Sequence, residues 1–309
     1  MKVGVVGCGL VGSSAAFAIV LTGSAEAVAL VDMNTDRAKA HAEDILHATP
    51  FSEAVEITAG DYNVLKGCLL VILSCGVAQR PGESRLELLK RNASVFKQVI
   101  PKVLDFAPDS LLLIASNPVD ILTDIVARSS GLPPGRVFGT GTVLDTARFR
   151  SLIGSFFGVA ANSVHAYVLG EHGDSEVLVW SSARVAGMPL IDFGTQVGVP
   201  LTDMIKADID ENVRRAAYRI IKGKGYTNYG IGAAIAKIVR GVRDNDRSVL
   251  TLSMPTDSME NLEGVSLSLP RVLGSSGVIA TVRPSLSREE DAALQNSAQV
   301  LREAGLSMI

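Results

Sequence analysis

Short apolar segments alternate with helical segments along the first half of the chain. KVGVV (2–6) and VALVD (28–32) are continuous runs of apolar and β-branched residues, and a stretch with helical spacing follows each of them. Strands that are apolar throughout are typical of parallel sheets covered by helices on both faces. The pattern therefore predicts a doubly wound parallel sheet, with further strands in VEITAG, CLLVILSCG, SLLLIASN and VFGTG.

The pattern of hydrophobic positions changes after about residue 143. Helices there mix with antiparallel strands, so we predict an α/β domain over residues 1–142 and an α+β domain over residues 143–309. The predicted elements of this second half are a helix in TVLDTARFRSLIGSFFG, a strand in HAYVLGE, helices over 203–222 and 226–243, antiparallel strands in VLTLSM and GVSLSLPRVLG, and a final exposed helix that begins at a capping box of Ser287 and Glu290.

Composition and charge argue against several classes of protein. The net charge is −3 and lysine and arginine do not cluster, so neither nucleic acid nor an anionic membrane is an expected partner. The longest apolar runs are strand-length, far short of the roughly 20 residues of a membrane span. The chain begins directly with a strand, and its three cysteines match neither a metal set nor a disulfide framework. We therefore expect a cytoplasmic protein without a signal peptide or a bound metal.

A glycine-rich turn follows the first predicted strand. GCGLVG (7–12) fits the pattern G-x-G-x-x-G between a strand and a helix, which is the context that a dinucleotide-binding turn requires. Gly7 allows the tight turn, Gly9 lets backbone amides approach a pyrophosphate, and Gly12 allows close packing of helix on strand. Asp32 ends the next strand, about 20 residues further on, where a carboxylate binds a ribose diol and repels a 2′-phosphate. The prediction is a Rossmann domain that binds NAD rather than NADP.

A nicotinamide cofactor transfers a hydride, so the protein must supply a proton and hold the substrate. His172 is the histidine that follows a predicted strand in a glycine-flanked turn, GEHGDSE (170–176), and histidine suits proton transfer near neutral pH. Acids next to it in the turn rarely aim at the ring. Asp145 and Arg148 share one helix face, and we expect Asp145 to orient His172 while Arg148 binds a carboxylate. A capped, solvated histidine and a surface salt bridge are the purely structural alternatives.

The segment AQRPGESRLELLKRN (78–92) has the composition of a mobile loop followed by a helix. Arg85 lies where closure of this loop would bring its charge to a substrate carbonyl. An exposed polar loop is the alternative.

Taken together, these motifs resemble those of the lactate/malate dehydrogenase family, and most closely those of its bacterial L-lactate dehydrogenases. The resemblance covers almost the whole chain and rests on GCGLVG with Asp32, VAQRPGESR, SNPVD, GTVLDTARFR, YVLGEHGDSE and SLSLPR. It implies an L-lactate dehydrogenase that interconverts pyruvate and L-lactate, the last step of lactate fermentation from glycolysis.

The resemblance also implies a role for each matching residue. His172 is the proton donor and acceptor, Asp145 pairs with it, Arg148 binds the substrate carboxylate, and Arg85 polarises the carbonyl, while Asn117 and Thr227 complete the pocket. The remaining residues expected to bind NAD are Val11, Arg37, Tyr62, Gly76, Val77, Ala115, Ser116, Asn117, Thr140 and Ile231.

The choice of substrate is expected to depend on Gln79. Malate dehydrogenases carry arginine at this position, whereas a neutral amide leaves the second carboxylate of oxaloacetate unpaired, so Gln79 with Glu83 favours pyruvate. Arg80 lies next to it, so malate dehydrogenase stays open as an alternative, as does activity on a bulkier L-2-hydroxy acid. An NAD-binding sensor without catalysis is a more remote alternative.

A second site is implied by the same resemblance. Arg150 and His165 stand where bacterial L-lactate dehydrogenases activated by fructose 1,6-bisphosphate carry the arginine and histidine that bind it. We expect two subunits of a homotetramer to bring these residues together around one bisphosphate. The chain departs from the family at SCG (74–76), where Cys75 suggests sensitivity to oxidation, and at Asn228, where tyrosine is usual.

Overall fold

The computed structural model describes the backbone of residues 1–77 and 85–306 and the side chains of residues 1–77 and 87–305. Gln79, Arg80, Glu83 and the side chain of Arg85, to which the sequence assigns roles in the substrate site, lie outside the described residues.

The first half of the chain alternates strands and helices. Most residues of the strands are fully buried, which explains why they lack an apolar/polar alternation. Two short 3₁₀ helices, Thr49–Phe51 and Tyr62–Leu65, lie between them. The elements are β1 (Lys2–Val6), α1 (Leu10–Leu21), β2 (Ala27–Val31), α2 (Thr35–Leu46), β3 (Glu56–Ala59), β4 (Leu70–Leu73), α3 (Arg85–Phe106), β5 (Leu111–Ile114), α4 (Val119–Ser129) and β6 (Val137–Gly139).

These strands form a parallel sheet in the order β3-β2-β1-β4-β5-β6. The predicted doubly wound sheet is therefore confirmed. The order reverses between β1 and β4, and ligands of such sheets bind in the crevice at the carboxyl ends of the strands at this point. The glycine turn and the segment after β4 lie there.

The second half contains helices and shorter strands. The elements are α5 (Val143–Phe157), a 3₁₀ helix (Ala161–Ser163), β7 (Val164–His165), β8 (Val168–Leu169), β9 (Val177–Leu178), β10 (Arg184–Val185), β11 (Met188–Pro189), α6 (Leu190–Val197), α7 (Asp203–Arg214), α8 (Ala216–Lys224), α9 (Tyr229–Asp244), β12 (Ser248–Pro255), β13 (Ser266–Gly274), β14 (Gly277–Thr281) and α10 (Arg288–Leu306).

The predicted antiparallel pair of this half, β12 and β13, extends the parallel sheet. β12 pairs with β13 over its whole length and also with β6, through Ser253 and Gly139. Together with β14, these strands complete a mixed sheet of nine strands among the described residues. The sheet is thus continuous between the two halves of the chain.

Two predicted elements of the second half differ in the structure. HAYVLGE forms two strands rather than one, because β7 pairs with β10 and β8 pairs with β9 in separate small sheets. The helix expected over 203–222 is divided into α7 and α8 at Arg215, whose φ of −91° and ψ of 1° depart from helical geometry. No proline or glycine marks this break in the sequence.

Apolar side chains form a core on each face of the large sheet. Phe138 belongs to the core beneath α1, α2 and α9, and Phe96 belongs to the core beneath α3 and α4. In the second half, Phe149 packs between α5, α6 and α7, and Leu294 of α10 packs against β8, β9 and β13. Among the described helices, none combines the length and the apolar character that crossing a membrane requires.

The capping box predicted for the last helix is present. The Ser287 N–H donates to Glu290 Oε2 at 2.9 Å, and the Glu290 N–H donates back to Ser287 Oγ at 3.2 Å. The helix is less exposed than expected, because Leu294, Ala298 and Leu301 are buried.

Candidate active site

The glycine turn has the shape that its sequence predicts. Gly7 has a φ of +98°, and a Cβ there would lie 2.5 Å from the backbone nitrogen of Cys75. A Cβ on Gly12 would lie 1.9 Å from the carbonyl oxygen of Gly7, so only glycine lets α1 approach the turn this closely. At Gly9 a Cβ would meet nothing within 4 Å. The space in front of the α1 N-terminus is therefore open, as the approach of a pyrophosphate requires.

Asp32 lies beside this turn at the end of β2. Its Oδ2 accepts from the Cys8 N–H at 2.7 Å, and its Oδ1 accepts from the Asn34 N–H at 2.9 Å. The carboxylate therefore holds the glycine turn as well as standing where a ribose would bind, a structural role that the motif alone does not reveal. The open turn and the adjacent carboxylate fit a dinucleotide.

The other residues expected to bind NAD lie around this crevice. Val11 on α1 and Ile231 on α9 both pack against the core beneath these helices. Each of the others follows the carboxyl end of a parallel strand. These residues are Arg37 after β2, Tyr62 after β3, Gly76 and Val77 after β4, Ala115, Ser116 and Asn117 after β5, and Thr140 after β6.

Asn92, which the sequence analysis did not single out, connects two of these segments. Its Oδ1 accepts from the Val77 N–H at 2.8 Å, and its Nδ2 donates to the Asn117 carbonyl at 3.1 Å. Only 3% of Asn92 is exposed. It lies in the middle of an amphipathic helix, α3, where no local pattern separates it from a surface amide.

The structure brings His172 and Asp145 together. His172 Nδ1 lies 2.6 Å from Asp145 Oδ2, although the two residues are 27 positions apart in the sequence. The Asp145 side chain is 3% exposed and that of His172 is 27% exposed, so the ring remains accessible from one side. The Asp145 carboxylate raises the pKa of His172 to about 9.

Arg148 binds the other oxygen of the Asp145 carboxylate. Arg148 Nη1 donates to Asp145 Oδ1 at 2.6 Å across one turn of α5, and its side chain is 16% exposed. The pair is thus mostly buried, unlike a surface salt bridge. Burial opposes the ionisation of Asp145, but the His172 and Arg148 cations outweigh this effect and hold its pKa below the usual range.

The turn that carries His172 is held by hydrogen bonds from its own acid and from α10. Glu171 Oε2 accepts from the N–H and the hydroxyl of Ser175, at 3.2 and 2.5 Å. The Glu171 N–H donates to Ser297 Oγ at 2.8 Å. Glu171 therefore shapes the turn and does not bind the His172 ring in these contacts.

Asp120 of SNPVD, which the sequence analysis did not assign, fixes the backbone of His172. Its Oδ2 accepts from the His172 N–H at 2.7 Å. Burial raises the pKa of Asp120 to about 6, against the opposing effects of the Ser253 hydroxyl and the His172 N–H. Its position one residue into α4 looks like that of an ordinary acid in a first helical turn, so no sequence pattern predicts this contact.

The remaining predicted site residues lie on four separate segments of the chain. Asn117 is exposed at the start of the segment leading to α4, and Thr227 is half-buried just before α9. Arg150 Nε donates to the Ala166 carbonyl, between β7 and β8, at 2.8 Å. His165 is exposed on β7, opposite Arg184 of β10.

Two departures noted in the sequence have structural consequences. Asn228 is buried and links α9 to α1 through a 2.7 Å hydrogen bond from its Nδ2 to Ser14 Oγ. Burial raises the pKa of the Cys75 thiol to about 12, which disfavours the thiolate and argues against the oxidation sensitivity expected there.

Within the described residues, no group of three His, Cys, Asp or Glu side chains is placed to hold a metal ion.

Comparison with known proteins identifies the family. The family model for the NAD-binding domain of lactate/malate dehydrogenase matches residues 1–139, and that for the α/β C-terminal domain matches residues 142–305. The chain is 56% identical over 308 residues to an L-lactate dehydrogenase of Thermus aquaticus and 54% identical over 308 residues to one of Allorhizobium ampelinum, covering 100% of this chain and 99% of each relative.

A solved structure has the same fold. The minor L-lactate dehydrogenase from Enterococcus mundtii, in its ligand-bound form, superposes with a TM-score of 0.96 at 37% identity, covering 100% of this chain and 98% of that chain. The chain therefore belongs to the lactate/malate dehydrogenase family and is an NAD-dependent 2-hydroxy acid dehydrogenase.

Proposed function

We propose that this protein is an L-lactate dehydrogenase that interconverts pyruvate and L-lactate, with His172 as the proton donor and acceptor. The observation that carries the proposal is the Asp145 carboxylate, which binds the His172 ring and the Arg148 guanidinium at 2.6 Å each. The Asp145 carboxylate thereby holds both an acid/base group and a cation that can bind the substrate carboxylate. The names of the relatives from Thermus aquaticus and Allorhizobium ampelinum support lactate as the substrate.

Proton transfer uses the ring nitrogen that Asp145 leaves free. Because Nδ1 binds Asp145, Nε2 is the atom that donates to the keto oxygen of pyruvate and takes the hydroxyl proton of lactate in the reverse direction. A pKa of about 9 keeps the ring protonated at neutral pH, ready to donate. When bound, the nicotinamide supplies the hydride to the carbonyl carbon and accepts it in the reverse direction.

Substrate orientation follows from the way in which Arg148 is held. One of its terminal nitrogens binds Asp145, which fixes the guanidinium and leaves other N–H groups for the substrate carboxylate. Asn117 and Thr227 complete the pocket, and Arg85 polarises the carbonyl. Gln79 selects pyruvate over oxaloacetate because a neutral amide leaves a second carboxylate without a partner.

Residues 7–12 and Asp32 hold the cofactor. The open space at Gly9 admits the pyrophosphate to the N-terminus of α1, and Asp32 binds the adenosine ribose diol. Its negative charge excludes the additional phosphate of NADP.

The test of the proposed function is the oxidation of NADH by purified protein with pyruvate, oxaloacetate or a bulkier 2-oxo acid. We expect the highest kcat/KM with pyruvate. A preference for oxaloacetate would assign malate dehydrogenase activity instead, and a preference for the bulkier acid would assign another L-2-hydroxy acid.

The role of His172 is tested with the variant His172→Ala. Turnover should fall by roughly 100-fold or more, because proton transfer by a positioned group contributes about 10²–10⁴ in rate. His47→Ala, an exposed histidine at the end of α2, is the matched control and should keep wild-type turnover. NADH binding should persist in both variants, and undiminished turnover of His172→Ala would refute the assignment of the acid/base.

Regulation by fructose 1,6-bisphosphate at Arg150 and His165 is the second part of the proposal. The Arg150 guanidinium lies over the Tyr167 ring, 5.2 Å from its centroid. Arg150 is two residues from Arg148, so helix geometry places it roughly on the opposite face of α5. The exposed His165, opposite Arg184, adds a second basic group on a neighbouring strand. These contacts support a phosphate-binding role at a subunit boundary.

Saturating bisphosphate should lower the pyruvate KM of the wild type and leave that of Arg150→Gln unchanged. A wild-type KM that does not respond at several pH values would contradict the regulatory site.

The protein forms a homotetramer in this proposal. Phe17 and Leu21 of α1 and Tyr229 of α9 are apolar but 44%, 50% and 74% exposed, which supports burial of this face against a second copy. Light scattering in solution tests the assembly, and a monomeric mass would overturn it.

The boundary between the NAD-binding and the substrate-binding domains lies near residue 142 in this proposal. The reaction is the last step of lactate fermentation, and it takes place in the cytoplasm.

A further inference from the structure

Glu176 is a buried carboxyl group with no evident structural task. It immediately precedes β9, and only 4% of it is exposed. Its Oε1 is shielded from solvent and has no hydrogen-bond partner among the described residues. A carboxylate in such a place is costly when ionised, because neither water nor a donor stabilises the charge.

The cations around Glu176 are already paired with other carboxylates. His172 and Arg148 each bind one oxygen of Asp145. The negative charge of Asp145 thus offsets part of the stabilisation that both cations would give to an ionised Glu176.

Arg214 of α7 is the other cation that faces Glu176. Its Nε and Nη2 bind the Asp210 carboxylate at 2.5 and 3.4 Å. Its Nη1 donates to the backbone carbonyls of Asp174 and Glu176, not to the Glu176 carboxyl. Arg214 is therefore not a direct counterion of the Glu176 carboxyl.

We propose that Glu176 is a positioning residue that sets the charge of the substrate pocket. This role rests on the proposed function: Glu176 stays a neutral acid while the 2-oxo acid binds, and its ionisation opposes the positive charge that holds the substrate carboxylate.

The charge balance of the pocket gives the reason. Protonated His172 and Arg148 are two cations and Asp145 is one anion, so these three bonded side chains keep one positive charge. Asp120, which binds the His172 N–H, adds an anion above about pH 6. An ionised Glu176 adds a further negative charge, which opposes the binding of the substrate carboxylate. Burial and the charge of Asp145 raise the pKa of Glu176 to about 8, against the opposing effects of Arg214, His172 and Arg148. Substrate affinity should therefore weaken above about pH 8.

The experiment measures the binding of oxamate, an unreactive isostere of pyruvate, to the enzyme–NADH complex from pH 6.5 to 9.5. One pH unit above its pKa a group is about 90% ionised, so the wild type should lose roughly tenfold more affinity between pH 7 and pH 9 than Glu176→Gln. The kcat of Glu176→Gln at pH 7 should stay within about threefold of the wild type, because the replaced group is neutral there.

Two variants serve as controls. Glu176→Asp keeps a titratable carboxyl, so its affinity should still fall with pH. Asp174→Asn removes an exposed carboxyl of the same turn, one that accepts from the Tyr218 hydroxyl at 2.9 Å, and it should keep the wild-type profile. A purely structural role of Glu176 would change stability without changing the pH dependence.

A profile of Glu176→Gln that overlays that of the wild type would overturn the role of Glu176 while leaving the proposed function intact. Failure of the wild type to bind oxamate at every pH would overturn the proposed function, and this role with it. If Glu176→Gln does not fold, carbon NMR of the wild type decides the matter. The Glu176 carboxyl should titrate near pH 8, and a group already ionised at pH 6 would refute the proposal.

Discussion

At the scale of single residues, His172 and Glu176 belong to one turn but respond to the Asp145 carboxylate in opposite ways. Asp145 binds His172 directly and stabilises its cation, whereas it repels the anion of Glu176. The ion pair with His172 also contributes to the free energy of unfolding. This contribution is complete below the unfolded pKa of about 6.5 and is lost as the pH rises through about 9.

The first prediction concerns the pH dependence of the two reaction directions. Pyruvate reduction needs protonated His172, so its kcat/KM should fall as the pH rises through about 9. Lactate oxidation needs the neutral ring and should rise over the same range. Initial rates in both directions check this, and parallel pH profiles would contradict the assignment of the proton to His172.

At the scale of elements, the site depends on contacts that join one element to another. Asp120 of α4 holds the backbone of the His172 turn, and Ser297 of α10 holds Glu171 of the same turn. The histidine is thus positioned from two helices outside its own segment. A substitution that displaces α4 or α10 should therefore also displace the His172 ring, because both helices hold its turn.

The second prediction tests the contact from α4. Asp120→Ala leaves the His172 N–H without its acceptor, which should cost about 1–3 kcal/mol of stability. Displacement of the ring should lower kcat by roughly 10- to 100-fold. Asp120→Asn keeps an oxygen that accepts from the His172 N–H and should stay within about threefold of the wild type. Equal losses in both variants would show that the charge, not the hydrogen bond, matters.

The third prediction separates two glycines of the same turn. A Cβ at Gly12 would collide with the Gly7 carbonyl, so Gly12→Ala should displace α1 from the turn and lower the melting temperature. Gly9→Ala meets only open space and should preserve the fold, yet its methyl group intrudes where the pyrophosphate binds. Thermal unfolding and NADH titration distinguish the two. Wild-type NADH affinity of Gly9→Ala would argue against this placement of the cofactor.

At the scale of the whole molecule, the antiparallel strands of the second half are bound to the parallel sheet of the first. The buried Arg271 on β13 connects these strands. Its guanidinium donates to the carbonyls of Leu252, Met254 and Leu267 and to the Thr281 hydroxyl. No carboxylate takes part in these bonds, and burial lowers the pKa of Arg271 to about 10.

The fourth prediction is that Arg271→Leu destabilises the protein by about 3 kcal/mol or more, because several buried acceptors lose their donor at once. Arg283→Gln removes a partly exposed arginine that binds Asp291 and the Glu260 carbonyl, and it should cost less than about 1 kcal/mol. Urea unfolding of both variants makes the comparison. Similar midpoints would mean that the carbonyls find other partners.

Much of the fold could be predicted because its signals are local. The apolar strands, the glycine turn with Asp32, and the Ser287–Glu290 capping box each depend on residues close together in the chain. The division of 203–222 at Arg215 could not be predicted, since no residue type there disfavours a helix. The pairing of β12 with β6 was equally inaccessible, because strand pairing depends on the packing of the whole sheet.

The sequence by itself determined the order of elements, the dinucleotide turn and the shared face of Asp145 and Arg148, because helix and strand geometry fixes relations over a few residues. It also supplied His172 as the candidate acid/base and Asp145 as its candidate partner. Only the tertiary structure decided which carboxyls surround the ring, namely Asp145 in contact, Asp120 on the backbone and Glu176 buried nearby. Burial and distance between remote segments set charge and pKa, and these arise only when the chain is folded.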